Sequence, residues 1–159
     1  MSSLHDVLLF LHGLNRWLAF LVGIWTVGQV LPGITGRRVF TSIEHRSIAL
    51  FTGTLYLQMA LGLLLFAVMS MQNIPVFSGR SAVQWGHMGG GLLAALFGTL
   101  AFVLRWKTTT DRTQYRVAAL WTVLALLLLG QTLLMAALLG LLLLIRLVIT
   151  ILRNYLGTR

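Results

Sequence analysis

Two histidines and one arginine are the residues whose types and spacing could support chemistry. His12 and Arg16 lie four residues apart inside an apolar run from Val7 to Leu31, so on a helix they share one face. His87 is the only ionisable residue in the interior of a later apolar run. Ionisable side chains are costly inside a membrane and by default indicate a functional site. Because imidazole is a common metal ligand, the chemistry to consider is metal ligation.

The composition indicates an integral membrane protein. The 159 residues are 58% hydrophobic and 9% charged, whereas a soluble domain has about 25% charged residues. Apolar runs long enough to span a bilayer cover residues 4–31, 43–69, 82–104 and 113–145. We predict an all-α, up-down four-helix bundle forming one transmembrane domain over 1–159. The tail, 146–159, would continue the last helix or lie along the membrane interface.

The basic residues predict the orientation of the bundle. The net charge of +9 does not indicate a nucleic-acid partner, because the basic residues lie mainly in short segments between the apolar runs. Loops one and three hold seven of them, namely Arg37, Arg38, Arg46, Arg105, Lys107, Arg112 and Arg116. The opposite side holds four, namely Arg80, Arg146, Arg153 and Arg159. The positive-inside rule therefore predicts a bacterial inner-membrane protein with cytoplasmic loops one and three and periplasmic termini.

Several kinds of chemistry lack the residues they need. There is no cysteine, which excludes disulfides, iron–sulfur clusters and thioether-linked haem. The sequence has no nucleophile-elbow, phosphate-loop or zinc-protease motif. Three acidic residues are too few for hydrolysis by paired carboxylates inside a membrane. We therefore predict that the protein is not an enzyme.

The two histidines are expected at the same depth in the membrane. The first and third helices of an up-down bundle run in the same direction. His12 lies about eight residues into the first helix and His87 five or six into the third, so both would lie roughly 8–12 Å below one surface. Two imidazoles at one level can hold one metal from opposite sides, and helical bundles commonly house such cofactors. The sequence thus predicts a haem b with His12 and His87 as its axial ligands.

Other polar and small residues fit around such a group. Arg16 could pair with a haem propionate, and Gln131 could bind the free N–H of a histidine or a quinone head group. The glycines beside His87, including Gly91, and Gly13 beside His12 would give a flat macrocycle access to the backbone. The alternatives are a (bacterio)chlorophyll, a quinone or no cofactor. In the last case the small faces serve helix packing and the histidines form interhelical hydrogen bonds.

Helical periodicity predicts which faces meet inside the bundle. In the first helix, the small or polar face contains His12, Arg16, Ala19, Gly23 and Thr26. In the second helix, Thr54, Gln58 and Gly62 share a face, and in the third, His87, Gly91, Ala94 and Gly98 do. His45, between Glu44 and Arg46 at the start of the second helix, is expected to be solvated or to contact lipid headgroups.

Short segments of the chain resemble a family of small bacterial four-helix membrane proteins known as b-type cytochrome-like. They are Leu-His-Gly-Leu-Asn-Arg-Trp at 11–17, Gly-Arg-Arg-Val-Phe-Thr at 36–41, Leu-Gln-Met-Ala-Leu-Gly at 57–62 and Trp-Gly-His at 85–87. The resemblance covers roughly 11–129 and implies a four-helix haem protein with His12 and His87 as ligands. The family's histidine in helix 2 falls on Tyr56, and its acidic residue before the helix 3 histidine falls on Gly86, so a helix 2 ligand does not carry over.

Two functions are consistent with these features. The first is a membrane-embedded electron carrier whose haem passes electrons between membrane quinol and a periplasmic or membrane-bound redox partner. The second is an accessory subunit without its own chemistry, surrounded by lipid and packed against a larger respiratory or photosynthetic complex. The small amount of chain outside the apolar runs favours the second function, and the matched histidines favour the first.

Overall fold

The computed structural model describes residues 4–36, 38–72, 81–131 and Arg146. These residues form five helices: α1 (Leu4–Val30), α2 (Pro32–Thr35), α3 (Ser42–Met71), α4 (Ser81–Leu104) and α5 (Asp111–Gln131). A 3₁₀ turn at Arg105–Lys107 follows α4. There is no strand among them. Four spans, Leu4–Thr35, Ser42–Met71, Gln84–Lys107 and Asp111–Gln131, are long and apolar enough to cross a membrane. The all-α, four-helix prediction is therefore confirmed.

Local sequence signals set the helix ends around the first loop. α1 ends two residues before Pro32, and Pro32 then occupies the first turn of α2, where its missing N–H is not needed. α3 begins with a capping box. The Thr41 hydroxyl accepts from the Ile43 N–H, and the Thr41 N–H donates to the Glu44 carboxylate at 2.9 Å.

The contacts between α1 and α3 run in opposite directions along the two helices. Near the start of α1, Asn15 contacts Gln58. Near its end, the Thr26 hydroxyl donates to the Ser47 carbonyl at 3.0 Å. Since the residue numbers rise in α1 as they fall in α3, the two helices are antiparallel.

Contacts between neighbouring helices also give the directions of α4 and α5. The Thr52 hydroxyl of α3 donates to the Gly98 carbonyl of α4 at 3.0 Å, and Ile48, one turn earlier in α3, packs in a cluster with Ala101, later in α4. The rings of Phe97 in α4 and Trp121 in α5 lie 5.3 Å apart. Successive spanning helices therefore alternate in direction, so α1 and α4 point the same way.

The interior consists of two buried clusters that draw residues from all four spanning helices. The first contains Ala19, Phe51, Leu55, Ala94, Ala95, Ala125 and Leu129. The second contains Val30, Phe40, Ile48, Ala101, Tyr115, Ala118 and Ala119. Half of these residues are alanines, and small residues allow membrane helices to approach closely and gain van der Waals contact.

Hydrogen bonds connect the first loop to α3 and α5. Glu44 is only 2% exposed, and its carboxylate accepts from the Tyr115 hydroxyl at 2.9 Å. The same hydroxyl lies 3.0 Å from the Val39 carbonyl. The Phe40 N–H donates to the Asp111 carboxylate at 3.1 Å. Two of the three acidic side chains therefore stabilise the loop end of the bundle.

His45, expected to be solvated or to contact lipid headgroups, is only partly exposed. Its half-buried ring stacks on Trp106 with centroids 4.6 Å apart and planes 11° apart. Arg105 is 1% exposed, and its guanidinium lies over the rings of Phe102 and Trp106, at 4.4 and 5.2 Å from their centroids. These aromatic contacts place Arg105, a basic residue of loop three, against the protein.

The chain divides into two compact units, Met1–Leu129 and Gly130–Arg159. The first contains both buried clusters. The predicted continuation of the last helix to residue 145 and the tail 146–159 lie outside the described residues, except Arg146, which is helical. The single-domain organisation over 1–159 stays a prediction.

Two glycines of α1 provide a test of close helix packing. A Cβ added at Gly23 would lie 2.7 Å from both Leu126 Cδ1 and Phe51 Cε2, whereas one added at Gly28 would meet no described atom within 4 Å. We expect Gly23→Ala to lower the free energy of unfolding by about 1–3 kcal/mol, because the core must shift to accept a methyl group. Gly28→Ala should stay within about 0.5 kcal/mol of the native protein. Unfolding of both variants in detergent measures the two free energies. Equal stabilities of Gly23→Ala and Gly28→Ala would contradict close packing at Gly23.

Candidate functional site

His12 and His87 face each other. His12 projects from α1 and His87 from α4, the two helices that point the same way. Their ring centroids lie 6.0 Å apart with an interplanar angle of 71°. The structure therefore brings together the two predicted ligands at the common depth that the sequence indicates.

This separation is compatible with a shared metal. A histidine nitrogen binds a metal at about 2.0–2.1 Å, so two rings on opposite sides of one metal have centroids about 6 Å apart. Two imidazoles leave the equatorial positions around the metal to the four nitrogens of a macrocycle. The chemical type of this pair, two imidazoles, is one that a haem iron accepts.

Arg16 lies beside the histidine pair with an unused donor. Its side chain is partly buried, and its positive charge acts on both His12 and His87. Within the described part of the chain, its buried Nε has no hydrogen-bond acceptor. Since buried donors in folded proteins are nearly always paired, this nitrogen could bind an anionic group such as a propionate.

The glycines near the histidines leave open space. A Cβ added at Gly13, Gly86, Gly90 or Gly91 would meet no heavy atom of the described residues within 4 Å. Farther along the same face of α4, a Cβ at Gly98 would lie 2.7 Å from Leu55 Cδ1. Gly98 therefore serves helix packing, whereas Gly86 and Gly91 lie at exposed positions of α4 beside His87, which is itself exposed.

Gln131, also a predicted site residue, lies in the second compact unit. It is the last described residue of α5, and its side chain is exposed. Its role in binding a histidine N–H or a quinone stays a prediction.

A chain of hydrogen bonds reaches His12 from α3. The Asn15 amide nitrogen lies 3.0 Å from the Thr54 carbonyl and 2.8 Å from Gln58 Oε1. Gln58 Nε2 lies 3.0 Å from His12 Nε2 and 3.3 Å from His12 Nδ1. A Cβ added at Gly62 would lie 3.2 Å from His12 Cε1, so this glycine lets the ring approach α3.

The direction of these hydrogen bonds follows from the backbone. The Thr54 carbonyl can only accept, so the Asn15 atom beside it is the amide nitrogen. That nitrogen also contacts Gln58, so the Gln58 atom beside it is the oxygen, and Gln58 presents its NH₂ group to His12. Because Gln58 Nε2 lies 3.0 and 3.3 Å from the two ring nitrogens of His12, it is out of line with the lone pair of either nitrogen and does not fix the tautomer of the ring.

From the sequence we predicted neither a role for Asn15 nor the contact of Gln58 with His12. Asn15 is only 5% exposed although it is polar and lies in a membrane span. A usable signal was present, since a polar residue one turn after His12 can face the polar stripe of Thr54, Gln58 and Gly62. Periodicity alone placed Arg16 rather than Asn15 on the inner face.

Comparisons with known proteins do not add to this description. No family model, curated protein or solved structure matches the chain. Among the described residues, no group of three or more histidine, cysteine or acidic side chains is arranged to hold a metal ion. The function must therefore be argued from the histidine pair and its neighbours.

Asn15 should contribute to stability through this network. We expect Asn15→Ala to lower the free energy of unfolding by about 1–3 kcal/mol, because it removes two hydrogen bonds in a low-dielectric setting. Leu14→Ala is a matched control, since Leu14 is 56% exposed on the same helix. Unfolding of both variants in the same detergent measures the difference. An Asn15→Ala variant as stable as Leu14→Ala would show that the network contributes little.

Proposed function

We propose that this protein is a membrane-embedded electron carrier that holds one b-type haem between His12 and His87. The observation that carries the proposal is the proximity of the two imidazoles, whose ring centroids lie 6.0 Å apart on two helices that point the same way. The redox chemistry belongs to the haem when it is bound. Quinol or a membrane-bound redox protein is the proposed electron donor.

The protein's own residues would bind and orient the cofactor. His12 and His87 supply the axial nitrogens, and Arg16 supplies a positive charge for a propionate. The open glycine positions, Gly91 among them, admit the flat ring close to the α4 backbone. The similarity of segments within 11–129 to small b-type cytochrome-like membrane proteins supports the same proposal.

A second candidate is a non-catalytic subunit of a larger respiratory or photosynthetic membrane complex. The hydrogen bond from Gln58 to His12 favours it, because it gives this histidine a partner within the bundle without any cofactor. In that case His12 and His87 would be packing groups or ligands of a pigment such as (bacterio)chlorophyll. The apolar faces of the spanning helices suit contact with lipid or with apolar neighbours.

We further propose that the protein lies in a bacterial inner membrane with its termini in the periplasm. The seven basic residues of loops one and three, against four on the opposite side, support this orientation. The histidine pair would then lie nearer the periplasmic surface, within reach of a periplasmic or membrane-bound partner.

A reduced-minus-oxidised absorption spectrum of the purified protein tests haem binding. We expect a sharp α-band at the b-type position that is lost in both His12→Ala and His87→Ala, because each variant removes one axial ligand. His5→Ala should keep the band, since His5 is hydrogen-bonded to its neighbour Asp6 at the start of α1.

The same spectra, together with co-purification, separate the two candidate functions. A flat spectrum from folded native protein reconstituted with haem would exclude the electron carrier. A band that survives either ligand substitution would exclude that histidine as a ligand. Co-purification of the native protein with a larger complex, with no haem spectrum, would favour the accessory subunit.

The absence of cysteine permits a clean test of orientation. Gln72, at the end of α3, and Thr110, before α5, are both exposed and lie at opposite ends of the bundle. In intact cells, a membrane-impermeant maleimide should label Gln72→Cys but label Thr110→Cys only after the membrane is opened. The reverse pattern would place the termini in the cytoplasm.

A further inference from the structure

A groove on the outside of the bundle begins at the end formed by the first and third loops. It has a volume of about 330 Å³ and lies between the junction of α1 and α2 on one side and α5 on the other. Its lining residues are Leu31, Ile34, Arg116, Ala119, Leu120, Val123 and Leu124. All of them are apolar except Arg116, which lies nearest the start of α5. The groove therefore has one cationic end and an apolar length.

One row of side chains on α5 has the same polarity as the groove. Arg112, Arg116, Leu120 and Leu124 follow one another at intervals of four residues, so they lie along one face of the helix. α5 begins at Asp111, beside the third loop. The arginines therefore lie near the membrane surface, and Leu124 lies about 12 Å deeper than Arg116. An amphiphile with an anionic head and an apolar chain matches this order.

The two arginines of this row have no counter-charge within the described part of the chain. Both are exposed, and neither forms a salt bridge with Glu44 or Asp111. Those carboxylates accept hydrogen bonds from the Tyr115 hydroxyl and the Phe40 N–H instead. Like charges four residues apart repel each other, and cations near the start of a helix oppose its dipole. This end of α5 therefore favours an anion from outside the chain.

We propose that the groove binds an anionic phospholipid, with its phosphate on Arg116 and one acyl chain along α5. A guanidinium pairs with phosphate oxygens through two parallel N–H groups. Arg112, one turn nearer the surface, adds a second positive charge, which favours lipids with a net negative charge over zwitterionic ones. The acyl chain gains dispersion contacts with the side chains of Val123 and Leu124.

A second copy of this chain is a poorer occupant of the groove than a lipid. The sequence has three acidic residues. Glu44 and Asp111 already accept hydrogen bonds within the bundle, and Asp6 lies in the first turn of α1, at the opposite end. A second copy therefore offers no uncommitted carboxylate at this surface. The membrane itself supplies anionic headgroups there, and basic residues of the loops attract them.

The proposed lipid site is independent of the haem site. It lies at the end of the bundle formed by the first and third loops, whereas His12 and His87 lie at the opposite end. A lipid in the groove contacts both Ile34 of α2 and Val123 of α5. Because it binds the folded bundle, it should also stabilise the contact between these two elements.

A fluorescent reporter beside the groove tests the proposal. Since the chain has no cysteine, Thr35→Cys provides a single attachment site on an exposed residue next to Ile34. Full-length, cofactor-free protein in detergent is titrated with phosphatidylglycerol that carries a nitroxide quencher on its acyl chain. Quenching should saturate, and phosphatidylcholine with the same quencher should bind about tenfold more weakly, because it has no net charge.

Charge variants identify the headgroup contact. Arg116→Gln should weaken the apparent affinity for phosphatidylglycerol by about tenfold, because a charge-assisted contact with phosphate is lost. Lys107→Gln is the matched control, since it removes one positive charge from the same surface at an exposed residue that does not line the groove. Its affinity should stay within about twofold of the native protein. Both residues are exposed, so neither substitution disturbs the core.

A second pair of variants tests the groove itself. Val123→Phe fills part of its apolar length and should weaken quenching by labelled phosphatidylglycerol without changing any charge. Leu127→Phe is the control, because Leu127 is 64% exposed on the same helix and does not line the groove. This variant should bind the lipid as the native protein does.

Three outcomes would overturn the proposal. Equal losses of affinity in Arg116→Gln and Lys107→Gln would show attraction to the surface charge as a whole. Equal binding of phosphatidylglycerol and phosphatidylcholine would show contact with acyl chains alone. Displacement of the labelled lipid by inorganic phosphate at a similar concentration would show a site for a free anion. None of these results depends on haem binding, so the lipid site and the electron-carrier proposal fail or stand separately.

Discussion

The close antiparallel contact between α1 and α3 is the constraint on which the rest of the structure depends. Along this seam the two helices meet through small residues and through polar groups that hydrogen-bond across it, from Asn15 and Gln58 at one end to Thr26 and Ser47 at the other. In a membrane, where burial of apolar surface does not drive helix association, such contacts hold helices together. Because α3 also packs against α4, the seam determines where His12 and His87 meet.

The two ends of the bundle use their polar residues differently. At the end formed by the first and third loops, Glu44, Tyr115 and Asp111 make hydrogen bonds that hold the loop against the helices. At the histidine end, buried Arg16 Nε and Asn15 Oδ1 have no partner among the described residues. Unpaired buried polar groups are rare in folded proteins. The loop end has such atoms too among the described residues, namely His45 Nδ1 and the Nε and Nη1 of Arg105, so what distinguishes the histidine end is the pair of imidazoles 6.0 Å apart.

The glycines show how the same residue type serves two purposes along one face. Gly98 lets α4 approach α3 so closely that a methyl group would overlap Leu55, whereas a methyl group at Gly91 would meet nothing within 4 Å in the described chain. Sequence periodicity predicts one small face for both of them. It cannot distinguish the glycines that pack from those that leave space, since this depends on how far the neighbouring helices diverge.

The sequence by itself determined the membrane class, the four apolar spans, their ends near Pro32 and Leu104, and the common depth of His12 and His87. These follow from hydrophobic length, from proline geometry and from the fixed rise of a helix, which are local properties. Only the tertiary structure decided that the histidines face each other, that Asn15 lies on the inner face of α1, and that Gln58 donates to His12. It also showed that His45 stacks on Trp106. These features depend on helix rotation and on contacts between residues 39 to 75 positions apart, from Asn15 and Thr54 to His12 and His87, which no short-range pattern encodes.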